Sequence, residues 1–453
     1  MDADFRLKDG SRIAVIGGGP AGSFFAHFAG KLAERKGLGV SITIFDGKDF
    51  LERGPRGCNL CAGVIAVSLE KQLEKEGIRL PEKRIISRLE GYSLHIEDET
   101  LRLTSRENST RDIATVFRGN GPRFSCFPEV ISFDDFLLSY ARDREAAVVS
   151  EPVWGLEMPS RPADPIGLLF GDRRSPQRFK ADLVVGAFGV NTPLAAKVRN
   201  LGFGYRPPRT LTTYQAEIRL GEEKVKSLFQ NDIHVYMPRS RTVRFVTIIP
   251  KGDYVTVTLI GKADATPELA GEFFGLEEIR KVLPPAKPNC FCYPRIAVSA
   301  ARRPFSHRLV LIGDAAFSRH YKNGIESAFM TARLAAEAAF NRGVDAASFF
   351  SGYLKPARKQ IIRDNLYGRA LFRLNDGISS IPILARSHFD LAKKKGAGSV
   401  PRGIRFLLWN MFTGEIPYRR IFAGLLDLRL QSALFLNTIA LLFRQMKKAL
   451  ARH

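Results

Sequence analysis

The chain has little cysteine, little acidic charge and no apolar run long enough to stand out as a membrane span. Five cysteines among 453 residues are too few for a disulfide framework, which predicts a reducing, cytoplasmic compartment. The acidic start at residues 1–4 is unlike a secretory signal, so none is expected. No repeat or low-complexity tract is evident, and the seven histidines form no metal-ligand pattern.

Acidic residues are outnumbered by basic ones, 46 against 69, which gives a net charge of +23. Such a surface attracts nucleic acid, anionic lipid or an acidic substrate. No RNA- or DNA-binding motif accompanies the charge, so we expect no nucleic-acid partner. The length allows two or three domains.

The most informative segment lies near the N-terminus. The apolar run Arg12–Ile16 enters a Gly-x-Gly-x-x-Gly turn, in which Gly17 bends the chain, Gly19 admits a phosphate and Gly22 packs the next helix on the strand. A second apolar run ends at Asp46, where an acid would bind ribose hydroxyls. The simpler alternative is an ordinary βαβ unit with a solvated Asp46.

A second strand-end motif lies almost three hundred residues downstream. The run Leu309–Ile312 leads into Gly313 and Asp314, whose carboxylate could accept hydrogen bonds from a sugar-like chain. One cofactor held from both ends of a domain indicates FAD rather than NAD. No second glycine-rich turn follows a strand, so the reductant either docks transiently or is a protein; NADPH, NADH and a protein donor remain open.

The order of the motifs predicts an α/β fold with a discontinuous Rossmann-like FAD-binding domain, an inserted antiparallel β-sheet substrate domain and a helical C-terminal region. The expected segments are FAD-binding at 1–66, 111–204 and 301–345, substrate domain at 67–110 and 205–300, and a helical, basic region at 346–453.

Taken together, these motifs resemble the geranylgeranyl reductase family of FAD-dependent oxidoreductases, within the aromatic-hydroxylase-like flavoproteins. The resemblance covers roughly residues 10–345 and includes the loop Gly57–Gly63 and the segment Ala187-Phe188-Gly189. It implies the following cofactor-binding residues: Gly17, Gly19, Ala21, Gly22, Asp46, Gly63, Ala187, Gly189, Asp314, Gly324 and Ile325.

The chain departs from the family pattern at three places. Phe188 stands where the family has an aspartate, and Val130 stands where it has an arginine four residues before the Asp of Phe133-Asp134. The strand Phe245–Pro250, which resembles the family's substrate strand, lacks its tryptophan. The resemblance therefore implies the flavin fold more strongly than the reduction of a geranylgeranyl chain.

The cysteines are the candidate catalytic residues. Cys58 and Cys61 lie on the loop that the resemblance places over the flavin, and either could be the family's cysteine. With Cys290 and Cys292 they allow three interpretations: inert apolar side chains, a dithiol that exchanges electrons with flavin, or a four-thiolate metal or iron–sulfur site. His320 and Lys322 are further candidates for contact with flavin or substrate, and no metal ligand is assigned.

The C-terminal stretch 402–453 combines basic residues with apolar runs such as Leu434–Phe443. These runs are shorter than the about 20 residues that a spanning helix needs. A helix with an apolar face and basic flanks is typical of an interfacial anchor on anionic lipid, and a helical cap on the protein's own core is the alternative.

The expected function is an FAD-dependent reductase or dehydrogenase of an apolar, isoprenoid or quinone-like substrate, peripheral at the inner face of the cytoplasmic membrane. An FAD-dependent monooxygenase and an electron-transfer subunit of a larger complex are the alternatives, because one fold hosts several chemistries.

Overall fold

The computed structural model describes residues 4–96, 99–109, 111–238, 240, 242–283, 287–321, 323–394 and 398–450. The strands of this part of the chain are β1 (Arg12–Ile16), β2 (Ser41–Phe45), β3 (Val64–Ile65), β4 (Ser87–Leu89), β5 (Gly91–Ile96), β6 (Glu99–Thr104), β7 (Ile113–Thr115), β8 (Ala147–Val149), β9 (Val153–Glu157), β10 (Ile166–Phe170), β11 (Gln177–Ala181), β12 (Leu183–Gly186), β13 (Thr210–Thr212), β14 (Tyr214–Arg219), β15 (Asp232–Tyr236), β16 (Val243–Lys251), β17 (Tyr254–Gly261), β18 (Cys290–Cys292), β19 (Arg295–Ala297), β20 (Phe305–Ser306) and β21 (Leu309–Leu311).

The α-helices follow the same chain order. They are α1 (Pro20–Lys36), α2 (Val67–Lys75), α3 (Ser105–Asn108), α4 (Phe133–Arg142), α5 (Leu194–Arg199), α6 (Glu222–Phe229), α7 (Pro267–Gly275), α8 (Glu277–Val282), α9 (Gly324–Asn341), α10 (Ala346–Phe349), α11 (Lys355–Ala357), α12 (Asp364–Ser380), α13 (Pro382–Lys393), α14 (Ser399–Thr413), α15 (Tyr418–Leu425) and α16 (Leu428–Leu450). Short 3₁₀ or π-helical turns cover Glu82–Arg84, Gly313–Ala315, Phe350–Leu354 and Arg358–Ile362.

A six-stranded sheet carries both strand-end motifs. Its order is β20-β21-β12-β1-β2-β8, with all pairs parallel except β20 with β21. The side chains of Ala14 and Val15 are fully buried, as expected for a parallel strand covered on both faces. Helices α4 and α9 both pack against α1, and Phe45 contacts Phe170 and Phe179 of the small β9–β11 sheet.

The apolar spacing of the sequence predicts helices after the glycine-rich turn and over Ile325–Phe340, and the structure has α1 and α9 there. Helix α1 ends at Gly37, whose φ of 62° is left-handed, and Phe24 packs edge-on against Phe329 of α9. Small residues such as Ala332 and Ala335 on α9 are fully buried, which lets α9 lie close to α1.

A seven-stranded sheet forms the second layer, in the order β18-β14-β17-β16-β15-β5-β6. The segment Lys251-Gly252-Asp253 between two β-branched runs predicts a hairpin, and the structure has this hairpin as β16 and β17, with a φ of 62° at Gly252. Strands β5 and β6 from the early segment share this sheet with strands β14–β18 from the later one, and β15 pairs with β5 in parallel. A mixed α/β fold with parallel and antiparallel sheets and a helical C-terminal region is therefore confirmed.

The C-terminal helices pack on the seven-stranded sheet. Leu94 and Leu103 share one buried cluster with Phe389, Trp409 and Tyr418. The first part of the basic tail thus packs on the protein's own core. No single helix among the described residues is long and apolar enough to cross a membrane. The bent helix pair Tyr418–Leu425 and Leu428–Lys447 has sufficient length and apolar composition only when its two helices are taken together.

Candidate functional site

A cavity of about 710 Å³ lies between the two large sheets, within the range of about 300–1,000 Å³ that ligand sites usually have. Most of the predicted site residues line it: Gly17, Gly19, Ala21, Asp46, Cys61, Gly63, Ala187, Gly189, Asp314, Gly324 and Ile325. The fold thus brings segments from six distant parts of the sequence to one site. Gly22 and Cys58 do not line it, nor do the further candidates Cys290, Cys292 and His320.

The glycine-rich turn requires glycine for steric reasons. Gly17 has a φ of 108°, and a β-carbon there would lie 2.6 Å from the carbonyl oxygen of Ala187. A β-carbon at Gly22 would lie 1.8 Å from the carbonyl oxygen of Gly17. Gly22 therefore packs helix α1 against the turn, the role that its spacing predicts.

Asp46 closes the other side of the turn at the end of β2. Its Oδ2 accepts a hydrogen bond from the backbone N–H of Gly18 at 2.7 Å, and its Oδ1 accepts one from that of Lys48 at 2.9 Å. Burial raises the pKa of Asp46 above its ordinary value, while these backbone donors lower it. The carboxyl group is thus fixed at the cavity wall rather than left in solvent.

The two strand-end motifs touch each other. Gly313 has a φ of 60°, and a β-carbon there would lie 2.9 Å from the β-carbon of Ala21. The next residue, Asp314, lines the cavity, and burial raises its pKa, against a hydrogen bond from Ser318 and the charge of Arg118. Both carboxylates that the sequence assigns to the cofactor therefore face one space.

The loop 57–63 is held by partly buried hydrogen bonds. Lys48 Nζ donates to the carbonyl oxygen of Cys58 at 2.6 Å and to Asn59 Oδ1 at 3.1 Å. Asn59 Nδ2 donates a hydrogen bond to the carboxylate of Asp134. Nε and Nη2 of Arg118 donate hydrogen bonds to the same carboxylate. An arginine therefore does reach Asp134, although it comes from position 118 and not from Val130.

The structure separates the two cysteines of the loop. Cys61 lines the large cavity, whereas Cys58 lines only a neighbouring small pocket. This pocket has a volume of about 30 Å³, which is room for about one or two water molecules. Cys61, Cys290 and Cys292 also border that small pocket. Within the described residues no group of three or more His, Cys, Asp or Glu side chains is placed to hold a metal ion, and all five thiols are free.

Burial favours the protonated thiol at Cys58, Cys290 and Cys292. It raises the pKa of Cys58, raises that of Cys290 to about 11 and raises that of Cys292 to about 12. The low thiol pKa that a Cys-x-x-Cys spacing suggests is therefore absent at Cys58.

The seven-stranded sheet supplies an apolar wall. Alternate residues of β16, namely Phe245, Thr247 and Ile249, line the cavity, because successive side chains of a strand point to opposite faces. Tyr92 of β5 and Ile233 of β15 extend the same wall. The strand that resembles the family's substrate strand thus faces the cavity, although it has no tryptophan.

His320 and Lys322 are the two further candidates from the sequence for contact with flavin or substrate. His320 is buried, lies outside the cavity lining, and packs on the rings of Tyr321 and Phe372. Burial lowers its pKa to about 4, which is typical of a neutral core histidine. Lys322 lies outside the described residues.

Sequence reasoning missed several cavity residues. Lys48 and Asn59 lie within two residues of Asp46 and Cys58 in the sequence, so their closeness to these predicted site residues could have identified them. Arg118, Tyr321 and Glu415 belong to no motif, and only the folded chain brings them to the cavity.

The residues present fit FAD. The glycine turn and the N-terminus of α1 would hold a pyrophosphate, Asp46 a ribose and Asp314 the ribityl chain. A β-carbon added at Gly189 or Gly324 would meet no atom within 4 Å, so both backbones stand open to the cavity.

Two curated proteins are similar to this chain in sequence. The chain is 25% identical over 253 residues to the geranylgeranyl diphosphate reductase of Synechocystis sp., covering 54% of each protein. It is 26% identical over 349 residues to the chloroplastic geranylgeranyl diphosphate reductase of Nicotiana tabacum, covering 72% of this chain and 65% of that protein. The matches thus span little more than half to two thirds of the length of these relatives. No model of a known protein family matches the chain.

Solved structures share the fold. A geranylgeranyl bacteriochlorophyll reductase-like protein from Thermoplasma acidophilum aligns with a TM-score of 0.67 and 17% identity, over 93% of this chain and 99% of that one. Aklavinone-11 hydroxylase, solved with FAD and aklavinone, aligns with a TM-score of 0.56 and 18% identity, over 80% of this chain and 68% of that one. The sequence comparisons confirm the predicted resemblance to geranylgeranyl reductases, and the solved structures confirm the shared fold.

Proposed function

We propose that this FAD-dependent oxidoreductase, similar to the geranylgeranyl reductases, reduces an apolar substrate of isoprenoid or quinone type at the cytoplasmic surface of a membrane. The observation that carries the proposal is the continuity of one cavity, from Gly17 and Asp314 at its cofactor end to Phe245 and Ile249 at its apolar end. The six-stranded sheet then serves as a Rossmann-like FAD-binding domain and the seven-stranded sheet as the inserted substrate domain.

The apolar wall selects the substrate class. Phe245, Ile249, Ile233 and Phe412 offer a carbon-rich surface that has few charged groups to match a sugar or an amino acid. The relatives named geranylgeranyl diphosphate reductases act on an isoprenoid, which is consistent with such a wall.

Bound FAD would supply two-electron chemistry between a donor and this substrate. The chain's own residues position both molecules: Asp46 and Asp314 orient the cofactor, and the β16 side chains orient the substrate and exclude water. Cys61 is the proposed catalytic cysteine, because it is the loop thiol that faces the cavity. Cys58 is proposed to support the loop from the small pocket. The electron donor is NADPH, NADH or a protein.

The proposed membrane contact lies on α16. An unpartnered apolar stripe runs along this helix through Leu428, Phe435 and Phe443, which are 80%, 66% and 60% exposed. Arg444 and Lys447 flank it, and they would meet anionic headgroups while the stripe enters the acyl boundary. The net charge of +23 favours the same partner.

Oxygen consumption separates this proposal from its main alternative, an FAD-dependent monooxygenase, which the likeness to aklavinone-11 hydroxylase keeps open. The test uses the full chain with its FAD photoreduced under anaerobic conditions. Geranylgeranyl diphosphate or a short-chain quinone is then added while the flavin absorbance is followed. We expect reoxidation without oxygen. Reoxidation that requires oxygen and yields a hydroxylated product would instead establish the monooxygenase.

A matched pair of variants links the reaction to the cavity. Phe245→Ser removes a ring from the cavity wall and should slow reoxidation by the apolar probe. Phe124→Ser removes an equal ring that is 85% exposed elsewhere and should leave the rate unchanged.

A further inference from the structure

Glu415, a carboxyl group that no motif identifies, stands at the apolar end of the cavity, which Glu326 of α9 also lines. Glu415 lies in the turn between α14 and α15 and lines the cavity beside Phe412, Tyr92 and Ile113. A carboxyl group among aromatic and aliphatic side chains is costly to ionise, so its placement calls for an explanation.

The turn that carries Glu415 is tied to the start of helix α9. The guanidinium of Arg319 donates to the carbonyl oxygens of Gly414 and Ile416. Asn323 Nδ2 lies 3.4 Å from the same oxygen of Gly414. Because Gly324 begins α9 and lines the cavity, these contacts hold Glu415 near a segment that the family resemblance assigns to cofactor binding.

The carboxyl oxygens have two neutral donors. Trp409 Nε1 donates to Oε1 at 3.1 Å, and Ser109 Oγ donates to Oε2 at 3.3 Å. The Trp409 side chain is completely buried, so its indole N–H fixes the direction of the carboxyl group. Among the ion pairs of the described residues, none includes Glu415.

The ionisable groups that face Glu415 come from several elements. Burial raises the pKa of Glu415, and the negative charge of Glu326 on α9 adds to the rise. The donors Trp409 and Ser109 and the positive charge of Lys71 on α2 act in the opposite direction. Tyr92 on β5 is also buried, and burial together with Glu415 raises the pKa of its phenol, so the phenol stays neutral.

We propose that Glu415 is the proton donor to the substrate in the reduction proposed above, on which this inference rests. Saturating a carbon–carbon double bond, or reducing a quinone, requires a hydride at one atom and a proton at another. FAD held by Asp46 and Asp314 would supply the hydride when bound in its reduced form. The proton leaves a carboxyl oxygen of Glu415 and bonds to the second substrate atom. The resulting carboxylate keeps the hydrogen bonds from Trp409 and Ser109 and regains its proton from water.

The protonation of Glu415 is measurable without turnover. In the unfolded chain a glutamate has its ordinary pKa of 4.5, whereas folded Glu415 holds its proton to higher pH. Above about pH 4.5 the unfolded state therefore binds fewer protons, and the free energy of unfolding falls as the pH rises. The side chain in Glu415→Gln cannot ionise, so this variant does not lose unfolding free energy in this way as the pH rises.

Urea unfolding of the full chain tests this first step. The stability of Glu415→Gln relative to the native chain should increase between about pH 4 and about pH 8. Glu337→Gln removes a surface carboxylate of α9 and serves as the control, with no such increase expected. A difference that does not change with pH would show that Glu415 ionises normally and would overturn the proposal.

Single-turnover kinetics tests the second step. Glu415→Gln should bind FAD and undergo photoreduction as the native chain does, and its reoxidation by geranylgeranyl diphosphate or a short-chain quinone should slow by about 10²-fold or more. Glu415→Asp keeps an acid and should retain part of the rate together with its pH dependence. A native rate in Glu415→Gln would overturn the role of Glu415. If neither probe reoxidises the native flavin, the proposed substrate class fails instead, and with it the role of Glu415, while the urea series still reports the carboxyl pKa.

Discussion

Arg118 and Asp134 form a bidentate ion pair inside the protein, with Nε to Oδ1 at 2.6 Å and Nη2 to Oδ2 at 2.9 Å. Their side chains are 7% and 0% exposed. Asn59 donates to the same carboxylate, so the pair also anchors the loop that carries Cys58 and Cys61. Because Asp134 lies in the first turn of helix α4, which packs on α1, the contact joins the cofactor layer to the loop over the cavity.

Removing Arg118 should be costly. Arg118→Ala leaves the buried carboxylate of Asp134 without its cation, which typically costs about 3–5 kcal/mol of unfolding free energy. Urea denaturation measures the loss. The surface pair of Arg142 and Asp135 provides the control, since Arg142→Ala should cost no more than about 1 kcal/mol. A similar small cost for Arg118→Ala would show that Asn59 alone suffices for Asp134.

Gly19→Val should abolish tight FAD binding without unfolding the chain. A β-carbon at Gly19 meets only the Asn59 side chain, with Nδ2 at 3.0 Å, so the fold tolerates it, while the branched side chain fills the space proposed for the pyrophosphate. We expect FAD to bind at least about tenfold more weakly, a change of about 1.4 kcal/mol, measured by flavin fluorescence titration. Gly39→Val, at an exposed glycine, should bind normally. Full retention of flavin in Gly19→Val would contradict the assignment.

The two loop cysteines should differ in their effect on the flavin. A thiolate beside the ring gives a long-wavelength charge-transfer band on partial reduction, and Cys61 is the thiol in position to do so. Cys61→Ser should remove this band, whereas Cys58→Ser should leave it, because Cys58 borders the small pocket and burial keeps it protonated. Exposed Cys126→Ser is the control. Absorbance titration under anaerobic conditions measures the band. Unchanged spectra in all three variants would show that the loop cysteines have a structural role only.

The α16 stripe should bind anionic vesicles. Phe435→Ser combined with Phe443→Ser removes two exposed rings and should reduce co-sedimentation with phosphatidylserine vesicles, while FAD stays bound. Binding by the native chain should weaken with salt but persist, since salt screens the basic residues and spares the apolar contact. Phe124→Ser is the control ring, and undiminished sedimentation of the α16 variant would place the contact elsewhere.

The membrane prediction needed one correction from the fold. The sequence suggested that apolar residues throughout 402–453 insert into lipid, but Leu407, Trp409 and Leu441 are at most 8% exposed and belong to the protein core. Deleting the whole stretch would remove that core. Surface substitutions on α16 therefore replace truncation as the test.

The sequence by itself determined the features that depend on neighbouring residues. The turn Gly17–Gly22, the hairpin through Gly252 and the helix α9 all form where spacing and glycine placement predict them, because backbone sterics and apolar periodicity act over a few residues. Asp46 and Asp314 were identifiable for the same reason, since each ends or follows an apolar strand.

Only the tertiary structure decided which side chains meet. Nothing in the spacing of Cys58 and Cys61 tells which thiol faces the cavity, and no motif links Arg118 to Asp134 or places Glu415 beside Tyr92. These relationships depend on how sheets and helices from distant segments pack. A sequence determines local conformational preferences. Burial, pKa and cavity shape depend on residues that become neighbours only when the chain has folded.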